Sequence, residues 1–366
     1  MSQSRQVTFQ VTTPAPLTRN ESVYITGAER ELGDWKTDVL SLTRTDSNKW
    51  SGVVALPPDI PIEFKITRGS WDTEEVLKDG GIPPNHVIEP GGDTNVAISI
   101  AAWKDSAPPP PPKITGNYRI HDKVHSKYLR LDRKVIVWLP PSYDKDPTRR
   151  YPVLYMHDGQ QVFDPQTSTH QQDWEVDETC TKLMAEGKMQ EIIVVAVYCT
   201  VDRFDEYNAS VKGQNYAKFL IEELKPFIDK EYRTLPDRDH TAVAGSSMGG
   251  KMSFYLAWTH PEVYFGAACL SPAFVYDNNE LELGLVRRAT QCPDIKIYLY
   301  CGEGDELEKK LMPGMQEMTR LLVKRGFAGG ENLLIDEDPP APHNEAAWAR
   351  HTPQWLLFLF GKRSQP

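Results

Sequence analysis

Five consecutive prolines at residues 108–112 constrain the fold of this chain more than any other feature of its sequence. Proline lacks an amide hydrogen and has a fixed φ, so such a run enters neither a helix nor a strand ladder and holds an extended polyproline conformation. A run of this kind is typical of a semi-rigid spacer, and 366 residues suffice for two domains. We therefore predict a first domain over residues 1–104, a proline-rich linker over 105–114 and a second domain over 115–366.

The first domain has short runs of alternating apolar and polar residues between turn signals. Paired prolines and glycines interrupt it, and no stretch has sustained helical periodicity. Several short strands at such spacing predict a small all-β sandwich. The predicted strands cover residues 7–11, 23–26, 50–56, 62–67 and 95–100.

The second domain alternates apolar strand-like runs with helical patterns. This order predicts an α/β fold with a mostly parallel sheet covered by helices on both faces. Ligands of such sheets bind at the carboxyl ends of the strands. The predicted strands cover 135–139, 153–157, 192–197, 241–245, 267–270 and 295–301, and the predicted helices cover 172–186, 215–231, 249–260, 311–325 and 344–360.

A GxSxG element, residues 245–249, stands between a predicted strand and a predicted helix. A sharp strand-to-helix turn of this type projects a serine hydroxyl above the sheet, and the helix N-terminus favours developing negative charge. Ser247 is therefore the predicted nucleophile, and the alternative is a glycine-rich packing turn. In α/β-hydrolases the acid and then the histidine follow the serine along the chain.

Asp305 is the predicted acid because it follows the strand 295–301 at its carboxyl end. Its rivals are Glu303 in the same loop and Asp336 or Asp338 on a later loop, and Asp305 could instead be a solvated loop acid. A carboxylate in this role orients the catalytic histidine and stabilises its charged form.

His343 is the predicted general base because it lies in a proline-stiffened loop directly before the last predicted helix. The alternative for His343 is a helix-capping or surface histidine. His260 closes the helix behind the serine and His351 lies within the last helix, so neither is well placed.

An oxyanion hole needs two backbone amides. We expect them from Met248, which follows the nucleophile, and from Gly159, in the loop after an early strand. His157 in that loop is predicted to be structural.

Four residues are candidates for the substrate pocket: Gln160, Trp174, Arg203 and Tyr207. A salt-bridged loop around Arg203 and a core position for Trp174 are equally compatible with the sequence.

Charge, apolar runs and cysteines exclude several other classes. The chain has 41 Lys and Arg against 51 Asp and Glu, with no basic cluster, so we expect neither nucleic acid nor a membrane surface as a partner. No apolar run reaches the roughly 20 residues that cross a bilayer. Five cysteines without CxxC spacing predict no metal site, and the chemistry requires no cofactor. We expect no signal peptide, so the protein is cytoplasmic if Met1 is native and secreted or periplasmic if a signal was trimmed.

With these residues, the second domain resembles the "putative esterase" family of α/β-hydrolases, which includes esterase D, enterobactin, feruloyl and acetyl xylan esterases, and mycolyltransferases. The similarity covers residues 115–361 and includes the HDGQ segment 157–160, the R-x-x-E-Y segment 203–207 and the block that leads to residue 250. The resemblance implies a triad of Ser247, Asp305 and His343.

The first domain resembles the starch-binding module of carbohydrate-binding family 20. The matching residues are the LGDW element 32–35, Trp50 and the EFK element 63–65. The resemblance implies a glucan-stacking surface of Trp35, Lys65 and Trp71, with Trp71 closer to Lys65 than in the family pattern. A structural domain that packs on the esterase or shapes its cleft is the alternative.

Together these patterns predict a serine carboxylic-ester hydrolase that works through an acyl-enzyme. The leading substrate is a carbohydrate-linked acetyl or feruloyl ester, since a polymer-binding module raises the local concentration of substrate. The alternatives are an acyltransferase, a siderophore or thioester hydrolase, and a non-catalytic glycan-binding scaffold.

Overall fold

The computed structural model describes residues 4–107, 112–275 and 280–362. The chain divides into two compact units, Met1–Pro112 and Lys113–Pro366. The predicted polyproline spacer falls largely on residues 108–111, which lie outside the described part of the chain.

The first unit is a β-sandwich, as predicted. Two four-stranded sheets have the orders β4-β5-β1-β9 and β3-β2-β6-β8, and a short pair joins β7 to β10. All pairs are antiparallel except β1 with β9. The strands are β1 (Arg5–Thr12), β2 (Tyr24–Gly27), β3 (Leu40–Ser41), β4 (Thr43–Asp46), β5 (Lys49–Leu56), β6 (Ile62–Thr67), β7 (Glu75–Val76), β8 (His86–Ile88), β9 (Thr94–Ser99) and β10 (Ala102–Trp103).

Side-chain alternation explains how these strands form a core. Along β1, Val7, Phe9 and Val11 are buried, while the residues between them are wholly or partly exposed. This period of two places every second side chain on the inner face of a sheet. Phe9 packs edge-on against Phe64 of β6, with 5.1 Å between ring centroids, so the two sheets meet through aromatic side chains.

The second unit is an α/β fold, as predicted. Its eight-stranded sheet has the order β11-β12-β14-β13-β15-β16-β17-β18. The strands from β14 to β18 pair in parallel, whereas β11 and β12 are antiparallel additions at one edge. The strands are β11 (Asn117–Val124), β12 (Arg133–Leu139), β13 (Val153–His157), β14 (Ile193–Val197), β15 (Thr241–Ser246), β16 (Gly266–Leu270), β17 (Lys296–Gly302) and β18 (Leu333–Asp338).

Helices cover both faces of this sheet. Val153 and Tyr155 of β13 belong to one apolar cluster and Leu154 and Met156 to another, so the strand is apolar throughout. The helices are α1 (Val176–Ala185), α2 (Arg203–Glu206), α3 (Val211–Lys218), α4 (Lys225–Glu231), α5 (Met248–Thr259), α6 (Leu281–Arg288), α7 (Glu306–Lys324) and α8 (Glu345–Phe360), and a π-helical turn, Phe219–Leu224, joins α3 to α4.

Several boundaries differ from the sequence-based prediction. Helix α6 was not predicted, and neither were the strands β11 and β18. These two are edge strands that are only partly buried and therefore lack a long apolar run. Asp336 and Asp338 consequently lie in β18 and not on a loop. Helix α7 begins at Glu306, five residues before the predicted start. None of the described helices has the length and hydropathy to cross a membrane.

Candidate active site

Ser247 lies at the sharp turn between β15 and α5. Its backbone has φ 55° and ψ −122°, a conformation that is unfavourable for a residue with a side chain. The turn brings Gly245 and Gly249 together so closely that a Cβ on Gly245 would lie 2.7 Å from the carbonyl carbon of Gly249. Met248 begins α5, so its amide is among those that have no acceptor within the helix. The predicted serine turn is therefore present.

Backbone hydrogen bonds fix this turn to the loop after β16. The amide of Ser247 donates to Leu270 at 2.8 Å, and the amide of Ala273 donates to Ser247 at 3.1 Å. The next strand along the sheet, β17, leads into α7, and β18 leads into the loop that carries His343. Because these strands are parallel, the residues that follow them lie on the same edge of the sheet as Ser247.

Glu308 is the carboxylate that contacts the imidazole of His343. Its Oε1 lies 3.0 Å from Nδ1 of His343 and also accepts a hydrogen bond from the Ser271 hydroxyl. Its Oε2 accepts hydrogen bonds from the Cys301 thiol at 2.9 Å and from the Gly302 amide at 3.2 Å. Burial opposes ionisation of this fully buried side chain, but hydrogen bonds from His343, Cys301 and Ser271 outweigh burial and lower the pKa of Glu308. The site therefore holds a charged carboxylate behind the histidine.

Asp305, the predicted acid, contacts the main chain of His343 and not its ring. Its Oδ1 caps α7 by accepting from the amides of Leu307 at 3.0 Å and Glu308 at 2.8 Å. Its Oδ2 accepts from the backbone amide of His343 at 2.6 Å. The carboxylate that can orient the imidazole is Glu308, one helical turn further along the chain. The rivals Asp336 and Asp338 are both hydrogen-bonded to another histidine, His351.

A capping signal in the sequence could have revealed Glu308. Aspartate at a helix N-cap and glutamate three residues later form a known helix-start pattern, and Asp305 and Glu308 have this spacing. Had α7 been predicted to begin after Asp305, the Asp305 carboxylate would have been assigned to capping. Glu308 would then have been the next acid available to the histidine.

Trp348 of α8 holds the other side of the histidine. Its ring packs edge-on against His343, with centroids 5.0 Å apart, and its Nε1 donates to the Ser271 hydroxyl at 3.0 Å. Trp174, predicted as a pocket residue, is buried behind Trp348 at 5.5 Å and also contacts Trp355. Trp174 is thus a core residue, because three indole rings pack together beneath the histidine loop.

Gly159 begins a 3-10 turn after β13. A Cβ at this position would lie 2.6 Å from the carbonyl carbon of Ala196, so only glycine allows the loop to pass so close to β14. The next residue, Gln160, was predicted to line the pocket. Its side chain instead bridges to Cys199, donating to Sγ at 2.9 Å and accepting from the backbone amide at 3.3 Å.

The remaining residues of this region support the Gly159 loop from behind. The Arg203 guanidinium donates to both carboxylate oxygens of Asp158 at 2.7 Å, and the Asp158 amide contacts the Tyr207 hydroxyl at 3.4 Å. Tyr207, also predicted to line the pocket, is fully buried. His157 contacts the Tyr216 hydroxyl at 3.0 Å, and burial lowers the pKa of His157 to about 4, so His157 is a neutral structural residue.

In the first unit, Trp35 and Trp71 form an aromatic pair. Their ring centroids are 6.5 Å apart and their planes are inclined by 36°, and 40% of Trp71 is exposed. Two hydrogen bonds tie their loops together: the Thr37 hydroxyl donates to the Gly69 carbonyl at 2.9 Å, and the Thr67 hydroxyl donates to the Thr37 carbonyl at 2.8 Å. The tertiary fold therefore places both predicted tryptophans on one surface.

Lys65, predicted to join these tryptophans, has its amine directed elsewhere. The side chain is buried and donates to the carbonyl of Pro83. Burial lowers the pKa of Lys65, although the nearby carboxylates of Glu74 and Glu75 act in the opposite direction. The structure thus brings together two of the three predicted carbohydrate-binding side chains.

A family model described as "Putative esterase" matches residues 126–355, which is more than half of the chain. The chain belongs to this esterase family. An endo-1,4-beta-xylanase/feruloyl esterase from Xylanibacter ruminicola is 30% identical over 233 residues, which make up 61% of this chain and 29% of that protein. A solved structure of a ferulic acid esterase has a TM-score of 0.55 and 23% identity, and the match covers 66% of this chain and 98% of that one. The latter likeness shows the fold of the second unit.

The first unit of the chain matches a different model, described as "Starch binding domain", over residues 4–96. An alpha-amylase from Niallia circulans is 33% identical over 106 residues, which make up 28% of this chain and 8% of that protein. The chain thus spans less than a third of either curated relative. Each of its two units is thus similar to a part of a longer protein.

Proposed function

We propose that this chain hydrolyses carboxylic esters with Ser247 as nucleophile, His343 as general base and then acid, and Glu308 as the carboxylate that orients His343. The backbone amides of Met248 and Gly159 bind the oxyanion. The observation that supports this proposal most directly is the 3.0 Å contact between His343 and the buried Glu308, on the same sheet edge as the strained serine turn.

The reaction proceeds through an acyl-enzyme. Ser247 Oγ attacks the ester carbonyl carbon while His343 Nε2 takes the serine proton, and the carbonyl oxygen becomes an oxyanion held by two amides. Collapse of this tetrahedral species breaks the bond to the alcohol oxygen, which receives the proton from the imidazolium. Water then loses a proton to His343, attacks the acyl carbon and releases the carboxylic acid and free Ser247.

Glu308 makes this proton transfer possible by fixing one tautomer of the ring. A carboxylate that accepts from Nδ1 leaves Nε2 free to take the serine proton and stabilises the imidazolium that follows. The hydrogen bonds from Ser271, Cys301 and Gly302 hold the carboxylate in one orientation. A buried acceptor with all its donors in place needs little rearrangement during the reaction.

The substrate that we propose is an acetyl or feruloyl ester attached to a carbohydrate. Two independent features support this class: the relative that combines a xylanase with a feruloyl esterase, and the pair of the partly buried Trp35 and the exposed Trp71 in a unit that matches a starch-binding model. Flat aromatic rings stack on the apolar faces of sugar rings. Binding of the polymer by one unit then raises the substrate concentration near the other.

Replacement of the nucleophile tests the esterase. We expect wild-type protein to hydrolyse p-nitrophenyl acetate, methyl ferulate and acetylated xylan, and Ser247→Ala to lose at least 1,000-fold in kcat, because covalent catalysis is removed. Ser246→Ala is the matched control, since Ser246 is the buried neighbour in β15 and should keep its activity. Hydrolysis that survives in Ser247→Ala would refute the proposed nucleophile, and acyl transfer to added alcohols in preference to water would make the enzyme a transferase.

Replacement of the tryptophans tests the carbohydrate site. Trp35→Ala and Trp71→Ala should each weaken binding to amylose or xylan about tenfold in affinity electrophoresis, which corresponds to about 1.4 kcal/mol. Val53→Ala is the control, because Val53 is an exposed apolar residue of the same unit. Lys65→Met should change affinity little, since the amine faces the Pro83 carbonyl. Equal binding by all four variants would refute the site.

A further inference from the structure

Helix α2 has only four residues, but both of its ends form ion pairs with strands or loops of the sheet. At its start, Arg203 holds both carboxylate oxygens of Asp158 at 2.7 Å. At its end, Glu206 binds the guanidinium of Arg133 at 3.0 and 3.3 Å, and this second pair is almost completely buried. Two-pronged pairs of this kind fix orientation as well as distance.

The Asp158 that Arg203 holds has a strained backbone. It lies directly before Gly159 with φ 55° and ψ 50°, a left-handed conformation that is uncommon for residues other than glycine. Its Oδ2 would be 3.1 Å from a Cβ on Gly249, so this ion pair also lies against the first turn of α5. Conformations of this type persist where the surroundings over-determine them. Here the ion pair with Arg203 is the charged contact that holds Asp158 in this conformation.

The residues that follow α2 are linked to the nucleophile helix through Glu282 of α6. The amide of Ala209 donates to Glu282 Oε1 at 3.0 Å, and Glu282 Oε2 lies 3.3 Å from the amine of Lys251. Both charged side chains are almost fully buried, and Lys251 lies in the first turn of α5. Segment 203–209 thus contacts the loop of one proposed oxyanion donor directly and is linked to the helix of the other through Glu282.

We propose that Arg203 is a positioning residue for the oxyanion hole: its ion pair with Asp158 holds the Gly159 amide at a fixed position relative to the Met248 amide. This inference rests on the proposed esterase function and gives Arg203 a role without substrate contact. An oxyanion donor works only within a few tenths of an ångström of its ideal position, and a displacement of about 1 Å costs on the order of 100-fold in rate. Burial of an ion pair adds little to stability but fixes geometry.

The chain offers a closely matched control for this pair. Arg130 also binds an aspartate with two nitrogens, Asp202, through Nε at 3.2 Å and Nη2 at 3.0 Å. Asp202 directly precedes Arg203, but the Arg130 side chain is 66% exposed. Arg130→Gln therefore removes a similar ion pair from the same segment without touching Asp158.

The experiment measures kcat and KM for p-nitrophenyl acetate with Arg203→Gln, Arg203→Lys, Arg203→Ala and Arg130→Gln. We expect Arg203→Gln to lose about 100-fold in kcat with KM within threefold of wild type, because the substrate still binds but its oxyanion is poorly held. Arg203→Lys should retain an intermediate kcat, since an amine keeps the charge but not the paired geometry. Arg130→Gln should stay within twofold of wild type.

Chemical rescue separates positioning from a loss of folding. Addition of about 20 mM guanidinium chloride should raise the kcat of Arg203→Ala at least fivefold and leave Ser247→Ala inactive, with circular dichroism as the check on folding. An Arg203 variant that raises KM while keeping kcat would show substrate contact and overturn the inference. An unchanged kcat in the Arg203 variants, or a lack of rescue in folded Arg203→Ala, would overturn it as well. If wild type shows no Ser247-dependent hydrolysis, the proposed function fails; if wild type is active and Arg203 variants keep kcat, only this inference fails.

Discussion

The assignment of Glu308 as the orienting acid makes a quantitative prediction for two conservative variants, Glu308→Gln and Asp305→Asn. Each replaces a carboxylate by an amide of nearly the same size, so each tests charge and acceptor capacity without a cavity. Both residues lie at the start of α7 and both contact His343, one at its ring and one at its main chain. The sequence favours Asp305 as the acid, whereas the contacts favour Glu308.

The hydrogen bonds to Glu308 determine the size of the expected effect. Oε1 accepts hydrogen bonds from His343 and Ser271. Oε2 accepts hydrogen bonds from Cys301 and from the fixed backbone amide of Gly302. A glutamine keeps one oxygen, which should face Gly302 because that amide cannot rotate away. The NH₂ group then faces His343 and forces its proton onto Nε2, where the serine proton must arrive. The corresponding change in a serine-protease triad lowers kcat by about 10⁴, or roughly 5.5 kcal/mol at 1.36 kcal/mol per tenfold.

Asp305→Asn should have a much smaller effect. Asparagine is also a good N-cap, so one oxygen still accepts from Leu307 and Glu308, and only the bond to the His343 amide is lost. We expect a decrease of tenfold or less in kcat and about 1 kcal/mol or less in stability. The assay is kcat for p-nitrophenyl acetate at pH 8, with thermal unfolding as the check on folding. A larger loss in Asp305→Asn than in Glu308→Gln would refute the assignment of the acid.

Three further predictions follow from burial and titration. Gly159→Ala should lower kcat about 100-fold with little change in KM, because its Cβ would lie 2.6 Å from a backbone carbon of β14 and displace the loop. Burial lowers the pKa of His157 to about 4, whereas histidine in the unfolded chain titrates near 6.5. The free energy of unfolding, measured in urea, should therefore fall by roughly 3 kcal/mol as the pH falls from 6.5 to 4, and His157→Asn should show a smaller fall. Burial opposes the imidazolium of His351, but hydrogen bonds to Asp336 and Asp338 raise its pKa. Its contribution to stability is present below pH 6.5 and is lost as the pH rises through the raised pKa, so the thermal midpoints of wild type and His351→Gln should converge as the pH rises past that value.

Both pH predictions concern residues that hold catalytic loops, and their signs are opposite. His157 is buried as the neutral form and therefore stabilises the fold at neutral pH. His351 bridges two carboxylates of β18, the strand that leads to the His343 loop, and therefore stabilises it when charged. If the difference in stability between wild type and variant changed with pH in the same direction for both histidines, this account would be contradicted.

Local signals in the sequence predicted the serine turn well. The glycines at 245 and 249 and the apolar strand before them require a sharp turn, and the structure has it, with the serine backbone strained. The alternation of strands and helices likewise predicted the parallel sheet and therefore the edge at which Ser247 and His343 lie. These features depend on periodicity and backbone sterics, which are properties of neighbouring residues.

The roles of the polar side chains were less predictable. Trp174, Gln160 and Tyr207 were candidates for the pocket, yet the structure buries two of them and ties the third to Cys199. For Trp174 the sequence had left a core position open, and the structure shows that burial; the contact of Gln160 with Cys199 was not predicted. Side-chain direction depends on which neighbours pack against a loop, and those neighbours come from distant parts of the sequence.

Two units, their fold classes, the serine turn and the histidine loop were predictable from the sequence, because proline geometry, apolar periodicity and glycine spacing act over short stretches of chain. The tertiary structure was needed to show that Glu308, one helical turn beyond Asp305, contacts the His343 ring, whereas Asp305 contacts the His343 main chain. The amides of α7 and the His343 loop use the Asp305 carboxylate as an acceptor, and the sheet brings Ser271, Cys301 and His343 to Glu308 from three other places in the chain. Such convergence of donors from separate strands arises when the sheet assembles and leaves no local pattern in the sequence.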